Sequence, residues 1–328
     1  MLAQIPRTRW GGIADGKFRP SGYFRITARN GIFWLVDPDG GRFLSKGINS
    51  VRFDQDRIQN TDRIPYAQAC QRKYGNEETW RAAAARRLAG WGFNTLGSWS
   101  DEAVAKAGGA QLVLTPILDL AWAENNSAGS RTSQDFPDVF DADFDRHVRR
   151  RAQMLCGPRR NDPAIVGWFI DNELRWGPDW RGDEELLTIF IRLPPDCPGR
   201  VAAVNWLRER HPDFQQFNAI WRTPAASWDA FALLARAEPP YRRKPPYHRS
   251  AREEEEGANR ADPSRAAFTA DCDAFAALVA ERYFALTCAA VRAADPHCMS
   301  SEHFGQFAWQ FERMSGSSGL KVQAAIAC

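Results

Sequence analysis

The segment VGWFIDNELRW, Val166 to Trp176, runs through large apolar residues and then sets Asp171, Asn172 and Glu173 in a row. A β-forming run that ends on acids and an amide suits a strand whose last residues leave the core for a polar mouth. A carboxyl held among Trp168, Phe169 and Trp176 would be partly desolvated. That raises its pKa and keeps it protonated near neutrality, as a general acid requires. Cleavage of a glycosidic bond uses such an acid on the leaving oxygen, with a second carboxylate as nucleophile or base. Glu173 is the candidate acid, and the Asn172 amide is placed to hydrogen-bond a sugar hydroxyl beside it. A second reading needs no chemistry: Asn172 caps a helix after the strand and Glu173 opens its first turn. Asp171 faces the other way by strand alternation and reads as a salt-bridge or turn residue.

The elements that would position these groups repeat along the chain. GYFRITARNGIFWLVDPDGGRF alternates apolar and polar residues and turns at ARNG and DPDGG, which predicts a hairpin. RFLSKGINSV, WGFNTLGSWSD, AQLVLTPILDLAW and AIVGWFIDNE are apolar runs that each finish on polar residues, with helical stretches between them from about Glu77 to Ala89 and over FDADFDRHVRRRAQML. Continuously apolar strands separated by helices describe parallel β/α units covered on both faces. No G-x-G-x-x-G follows the first strand, and polar residues close every strand, which favours a (β/α)8 TIM barrel over a doubly wound, nucleotide-binding sheet. Asn49, Trp99 and Asp119 at the other strand ends, with Trp176, are candidate substrate-binding residues by position. Trp122 and Trp180 are further candidate platforms, although any single Trp fits core or rim packing better than a sugar platform.

The organisation read from these signals has five parts. Residues 1–42 form the N-terminal β hairpin and lead-in, 43–176 four βα units, and 177–265 a helical insertion after strand four. Residues 266–310 form a fifth unit with a strand near CMSSEHF, and 311–328 an atypical tail. Within the insertion, EPPYRRKPPYHRSAREEEEGANRADPSR joins Pro-rich, basic and acidic runs and reads as a mobile surface loop.

Lys and Arg exceed Asp and Glu by three in 328 residues, and no basic stripe with interleaved aromatics appears, so nucleic acid is not an expected partner. No apolar run of about eighteen residues and no signal-peptide core are found, so no membrane association and a cytoplasmic location are expected, with an extracytoplasmic one left open. Seven scattered cysteines, none spaced as CxxC, read as reduced thiols. His297, Cys298, Glu302 and His303 do not have a helical metal spacing, and the lone SGLK lacks companion motifs, so no metal or cofactor is expected.

DPAIVGWFIDNELRWG, WLVDPDGGRFLSKGINSV, WGFNTLGSW and AERYFALTCAAVRAADPH together resemble the β-agarase-type and related β-galactosidase-type glycoside hydrolases, in order over most of residues 20 to 310. This is the retaining barrel clan whose fourth strand ends in Asn-Glu, and VNWLRERHPDFQQFNAIWRT resembles the helical excursion that follows. The resemblance implies hydrolysis of O-glycosyl bonds in β-linked oligo- or polysaccharides, Glu173 as acid/base and Asn172 as its substrate-binding neighbour. It also implies a nucleophilic Glu at the end of a seventh strand. A whole barrel takes about 200 residues or more without insertions, and only about five units are legible here. FERMSGSSGLKVQAAIAC has no helix-and-strand rhythm, and neither Glu302 nor Glu312 closes a convincing strand. The expectation is an incomplete, truncated barrel with impaired hydrolysis and with open edges prone to self-association. A non-catalytic carbohydrate-binding remnant is the alternative.

Overall fold

The structure, a computed structural model, describes residues 5–121, 136–179, 181–234, 237–243, 249–298 and 326–327. An antiparallel hairpin comes first, β1 (Arg25–Arg29) and β2 (Ile32–Val36), with Arg29 opposite Ile32. Asn30 and Gly31 between them have φ of 54° and 72°, the left-handed pair that a two-residue hairpin turn demands. The DPDGG turn is held by the buried Asp37, whose carboxylate accepts the N–H groups of Asp39 and Gly41 at 3.0 and 2.8 Å.

Strands β3 (Gly47–Ile48), β4 (Thr95–Leu96) and β5 (Val113–Leu114) then pair in parallel, in chain order. β6 (Trp168–Phe169) joins β5 through the parallel bridges Leu114 to Ile165 and Ile117 to Phe169. Helices α1 (Pro65–Tyr74) and α2 (Glu77–Gly90) separate β3 from β4, and α3 (Ala142–Cys156) precedes β6. α2 begins where an Asn76 side chain accepts the Thr79 N–H, with Glu77 and Glu78 in its first turn. Asp141 caps α3, and Phe144, Val148, Ala152 and Cys156 recur at a spacing of four to bury one face. The chain is therefore α/β, with parallel strands and interleaved helices. The segment expected to hold a fifth strand lies outside the described residues. β7 (Ile326–Ala327) pairs with β6 antiparallel, a direction that a strand of a parallel barrel would not take.

After β6 the insertion folds as α4 (Leu186–Ile191), α5 (Pro198–Arg210), α6 (Phe214–Trp221) and α7 (Trp228–Ala232). The charged run expected to be a loop contains instead the helix α8 (Arg249–Ala261). Glu is a good helix former, and the acids of this run find basic partners, Glu256 with Arg260 one turn on and Glu255 with Arg265 at 2.9 Å. α9 (Pro263–Ala294) follows, started by Asp262, whose carboxylate accepts the Ser264 and Arg265 N–H groups. Among the described helices α9 is long and apolar enough to cross a membrane. Its apolar residues have another place to go: Phe268, Cys272, Phe275, Val279 and Tyr283 are buried against α3, α4 and α6. One contiguous core joins β6, α3, the insertion helices and α9.

One carboxylate inside that core is heavily paired. Asp271 of α9, 1% exposed, accepts Arg210 Nε at 2.7 Å and Trp221 Nε1 at 3.0 Å, and lies 2.9 Å from His211 Nε2. A buried carboxylate that collects three partners from α5 and α6 pins the insertion to the central helix. Replacing Asp271 by Ala strands those partners and should cost about 3 kcal/mol in urea unfolding. A loss under about 1 kcal/mol would show that the insertion docks by apolar packing alone.

Candidate active site

The parallel strands end in register. Gly97 donates its N–H to Ile48 O at 2.8 Å and Ser50 to Ser98 O at 3.0 Å; Thr115 donates to Leu96 O at 3.1 Å and Leu118 to Phe169 O at 2.8 Å. That stitching brings Asn49, Trp99, Asp119, Asn172 and Glu173 to one edge, the C-terminal edge of β3 to β6. Just past each strand the chain turns through a left-handed residue: Ser50, Trp99, Asp119 and Glu173 have φ of 59°, 58°, 49° and 51°. Only glycine and, to a lesser degree, Asn and Asp adopt this region at little cost. Four such turns at four successive strand ends are a repeated device, and no sequence signal announced it, because three of the four residue types do not favour it.

Asp171 holds this edge together. It is 5% exposed and accepts the Ala121 N–H on both carboxylate oxygens, at 3.1 and 3.0 Å, and the Tyr283 hydroxyl. Tyr283 is completely buried on α9, and burial, reinforced by the Asp171 charge, pushes its hydroxyl pKa well up, so it remains a donor. The expected turn or salt-bridge residue is thus a buried anchor that joins the end of β6 to the segment after β5 and to α9.

Glu173 is exposed and Asn172 half-buried. Among the described residues the apolar enclosure expected around Glu173 does not form. Trp168 is 1% exposed and donates its Nε1 to Asp295 at 2.8 Å, while Trp176 is 7% exposed with its ring centre 5.0 Å from Phe136 and 5.8 Å from Tyr283. Both indoles belong to the core, so Trp176 is packing and not an open platform. Trp99, by contrast, is 41% exposed at the edge. Asn49 is exposed and Asp119 half-buried. Burial raises the Asp119 carboxyl above its ordinary range, and Arg151 works against that shift. Trp122, Trp180, Glu302, His303 and Glu312 lie outside the described residues. His297 stacks on Tyr23 with ring centres 4.0 Å apart, and Cys298 is buried. Among the described residues no group of three or more His, Cys, Asp and Glu could hold a metal ion.

Residues downstream of Glu173 were not anticipated. Arg175 is 4% exposed, and its guanidinium lies over Gly182, where a Cβ would stand 2.7 Å from Nη2. Glu185, also buried, pairs with Arg243, which in turn reaches Asp273 at 2.8 Å. Burial pushes the Glu185 carboxyl up while Arg243 pulls it down. These charges brace the start of the insertion. A glycine facing a long cation is their one trace in the sequence.

Two outcomes follow for this edge. Tyr283→Phe removes one of the donors to the Asp171 carboxylate and should lower unfolding stability by about 1–3 kcal/mol, read in urea; an unchanged midpoint would mean that the carboxylate is held without the hydroxyl. Asp119→Asn should act in the opposite direction. A carboxyl whose folded pKa is raised stabilises fully only below its unfolded value, here an ordinary 3.8, and loses that contribution as pH rises through the folded pKa. The amide keeps the left-handed turn without the charge, so the variant should melt higher than the parent at pH 7, with the gap closing below about pH 3.8. A lower melting point at pH 7 would show that the ionised form is held by a compensating contact.

No protein-family model matches the sequence. Among curated proteins it is similar to β-agarase B of Vibrio sp. (strain JT0107), 25% identical over 296 residues that cover 70% of this chain and 30% of that protein. Similarity to β-agarase A of the same strain is 25% over 269 residues, 64% of this chain and 26% of that protein. The chain thus spans less than a third of the curated relatives it matches. In structure it superimposes on PfGH50B with a TM-score of 0.65 at 21% identity, covering 91% of this chain and 48% of that one. An exo-β-agarase gives 0.63 at 20% identity, with 89% and 48% covered. In sequence and in fold alike, the chain is β-agarase-like.

Proposed function

We propose that the C-terminal edge of β3 to β6 is half of a (β/α)8-barrel active site for glycoside hydrolysis, acting on a neutral β-linked polysaccharide of galactose type. The observation that carries this reading is the presentation of Glu173. It stands exposed, one residue beyond Asn172, on a left-handed turn at the end of the fourth parallel strand of a β-agarase-like chain. Glu173 is the acid/base: it gives its proton to the leaving glycosidic oxygen in the first step and takes one from water in the second. Asn172 holds a hydroxyl of the sugar undergoing cleavage. Trp99, exposed on the same edge, is the stacking surface, and Asp119 and Asn49 provide polar contacts.

Retention also needs a second carboxylate about 5–5.5 Å from the first. Asp171 is committed to Ala121 and Tyr283 and does not serve. That commitment supports a second reading, saccharide binding with little or no turnover. The two separate in one experiment, in which the chain and its Glu173→Gln variant are given a neutral agarose oligosaccharide and both binding and reducing ends are measured. The hydrolase reading expects turnover by the parent chain that falls about 10²–10⁴-fold in Glu173→Gln with binding kept. Equal binding by both and cleavage by neither selects the binding reading. Absence of binding by both removes the two together.

A further inference from the structure

Gly97, at the end of β4, has no conformational reason to be glycine. Its φ is not among the left-handed ones, unlike those of Gly92 or Gly108. Space is the reason. A Cβ built on Gly97 would overlap Asn49 Oδ1, lie 3.1 Å from Asn49 Cγ and stand 3.3 Å from Ile48 O. The Asn49 side chain therefore lies across the end of the neighbouring strand, in a slot that exists because Gly97 has no side chain. The backbone on both sides is fixed, since Gly97 N–H is bonded to Ile48 O at 2.8 Å and Ser50 N–H to Ser98 O at 3.0 Å. A side chain at position 97 would turn the amide away and leave the strands in place.

That amide is available to a ligand. Asn49 is exposed, and its side chain makes no hydrogen bond among the described residues. Two residues beyond Gly97 stands Trp99, exposed and in a left-handed turn. An amide both donates and accepts, which suits adjacent hydroxyls on a pyranose, and an exposed indole on the same strand edge suits the apolar face of the ring. Asn49 brings no charge, and the nearby edge residue Asp119 is acidic, so the combination favours a neutral sugar over a sulfated or carboxylated one.

We infer that Gly97 is a positioning residue: its missing side chain makes the room in which the Asn49 amide lies across the end of β4, on the same strand edge as Trp99, where it selects a neutral pyranose. This rests on the saccharide reading of the edge. It is tested by a double-mutant cycle of Gly97→Ala, Asn49→Ala and the pair, with the dissociation constant for a neutral agarose tetrasaccharide measured by calorimetry and the melting temperature of each variant recorded. Gly97→Ala and Asn49→Ala should each weaken binding about three- to ten-fold, and the pair should bind no more weakly than Asn49→Ala alone, because both changes remove one contact. The melting temperature of Gly97→Ala should stay close to that of the parent, since the group that must give way is the end of a flexible side chain. Binding unchanged in Gly97→Ala, or losses that simply add, would overturn the inference. If Gly97→Ala proves unstable, restoration of its melting temperature by Asn49→Ala supports the contact, and failure to restore it counts against the inference. Binding by the parent chain with no effect of Gly97→Ala removes this inference alone, whereas a parent chain that binds no saccharide removes the saccharide reading as well.

Discussion

The carboxylate of Asp171 is the group on which the strand edge depends. It sits between three pieces of chain far apart in sequence: the segment after β5 through Ala121, the end of β6 through its own backbone, and the middle of α9 through Tyr283. A buried carboxylate without donors would be too costly to keep. With donors from two directions it fixes how the end of β6 meets α9, and Asn172 and Glu173 inherit that placement. The polar group that looked least useful in the sequence therefore does the positioning, while the residue two places on is left open to solvent.

The left-handed turns show what that placement holds against. For a residue such as Trp99 or Glu173 this conformation costs roughly 1–2 kcal/mol, and it persists only where the surroundings over-determine it. Here they do: the hydrogen bonds linking Gly97 to Ile48, Thr115 to Leu96 and Leu118 to Phe169 fix the strand ends before each turn begins. Repetition at Ser50, Trp99, Asp119 and Glu173 indicates one way of leaving a parallel strand, used four times.

Much of this was legible in the sequence where the signal is local. Apolar runs ending in polar residues gave the parallel strands and their order. The helix expected from Glu77 to Ala89 runs from Glu77 to Gly90, and Asp residues marked the start of α3. Asn-Gly fixed the hairpin turn. What stayed hidden is non-local. Tyr283 and Asp171 are 112 residues apart, so no periodicity connects them. The exposure of Glu173 and the burial of Trp176 depend on a turn direction that residue types alone do not encode, and indoles close in sequence to Glu173 pack away from it in space. The charged run that becomes α8 reads as a loop because its helix is stabilised by side-chain partners, one of them Arg265 in the next helix. No local signal marks Gly97, because the Asn49 side chain lying over it belongs to a different strand.

The exposure of Glu173 bears on how such a site would work. An acid/base residue in a retaining reaction must lend its proton to the leaving oxygen and afterwards take one from a water molecule. A carboxyl sealed in a fixed apolar pocket would manage the first task and obstruct the second. On this edge Glu173 is open to water, which the second of these tasks requires. Active-site geometry in an unliganded protein is commonly looser than in the complex.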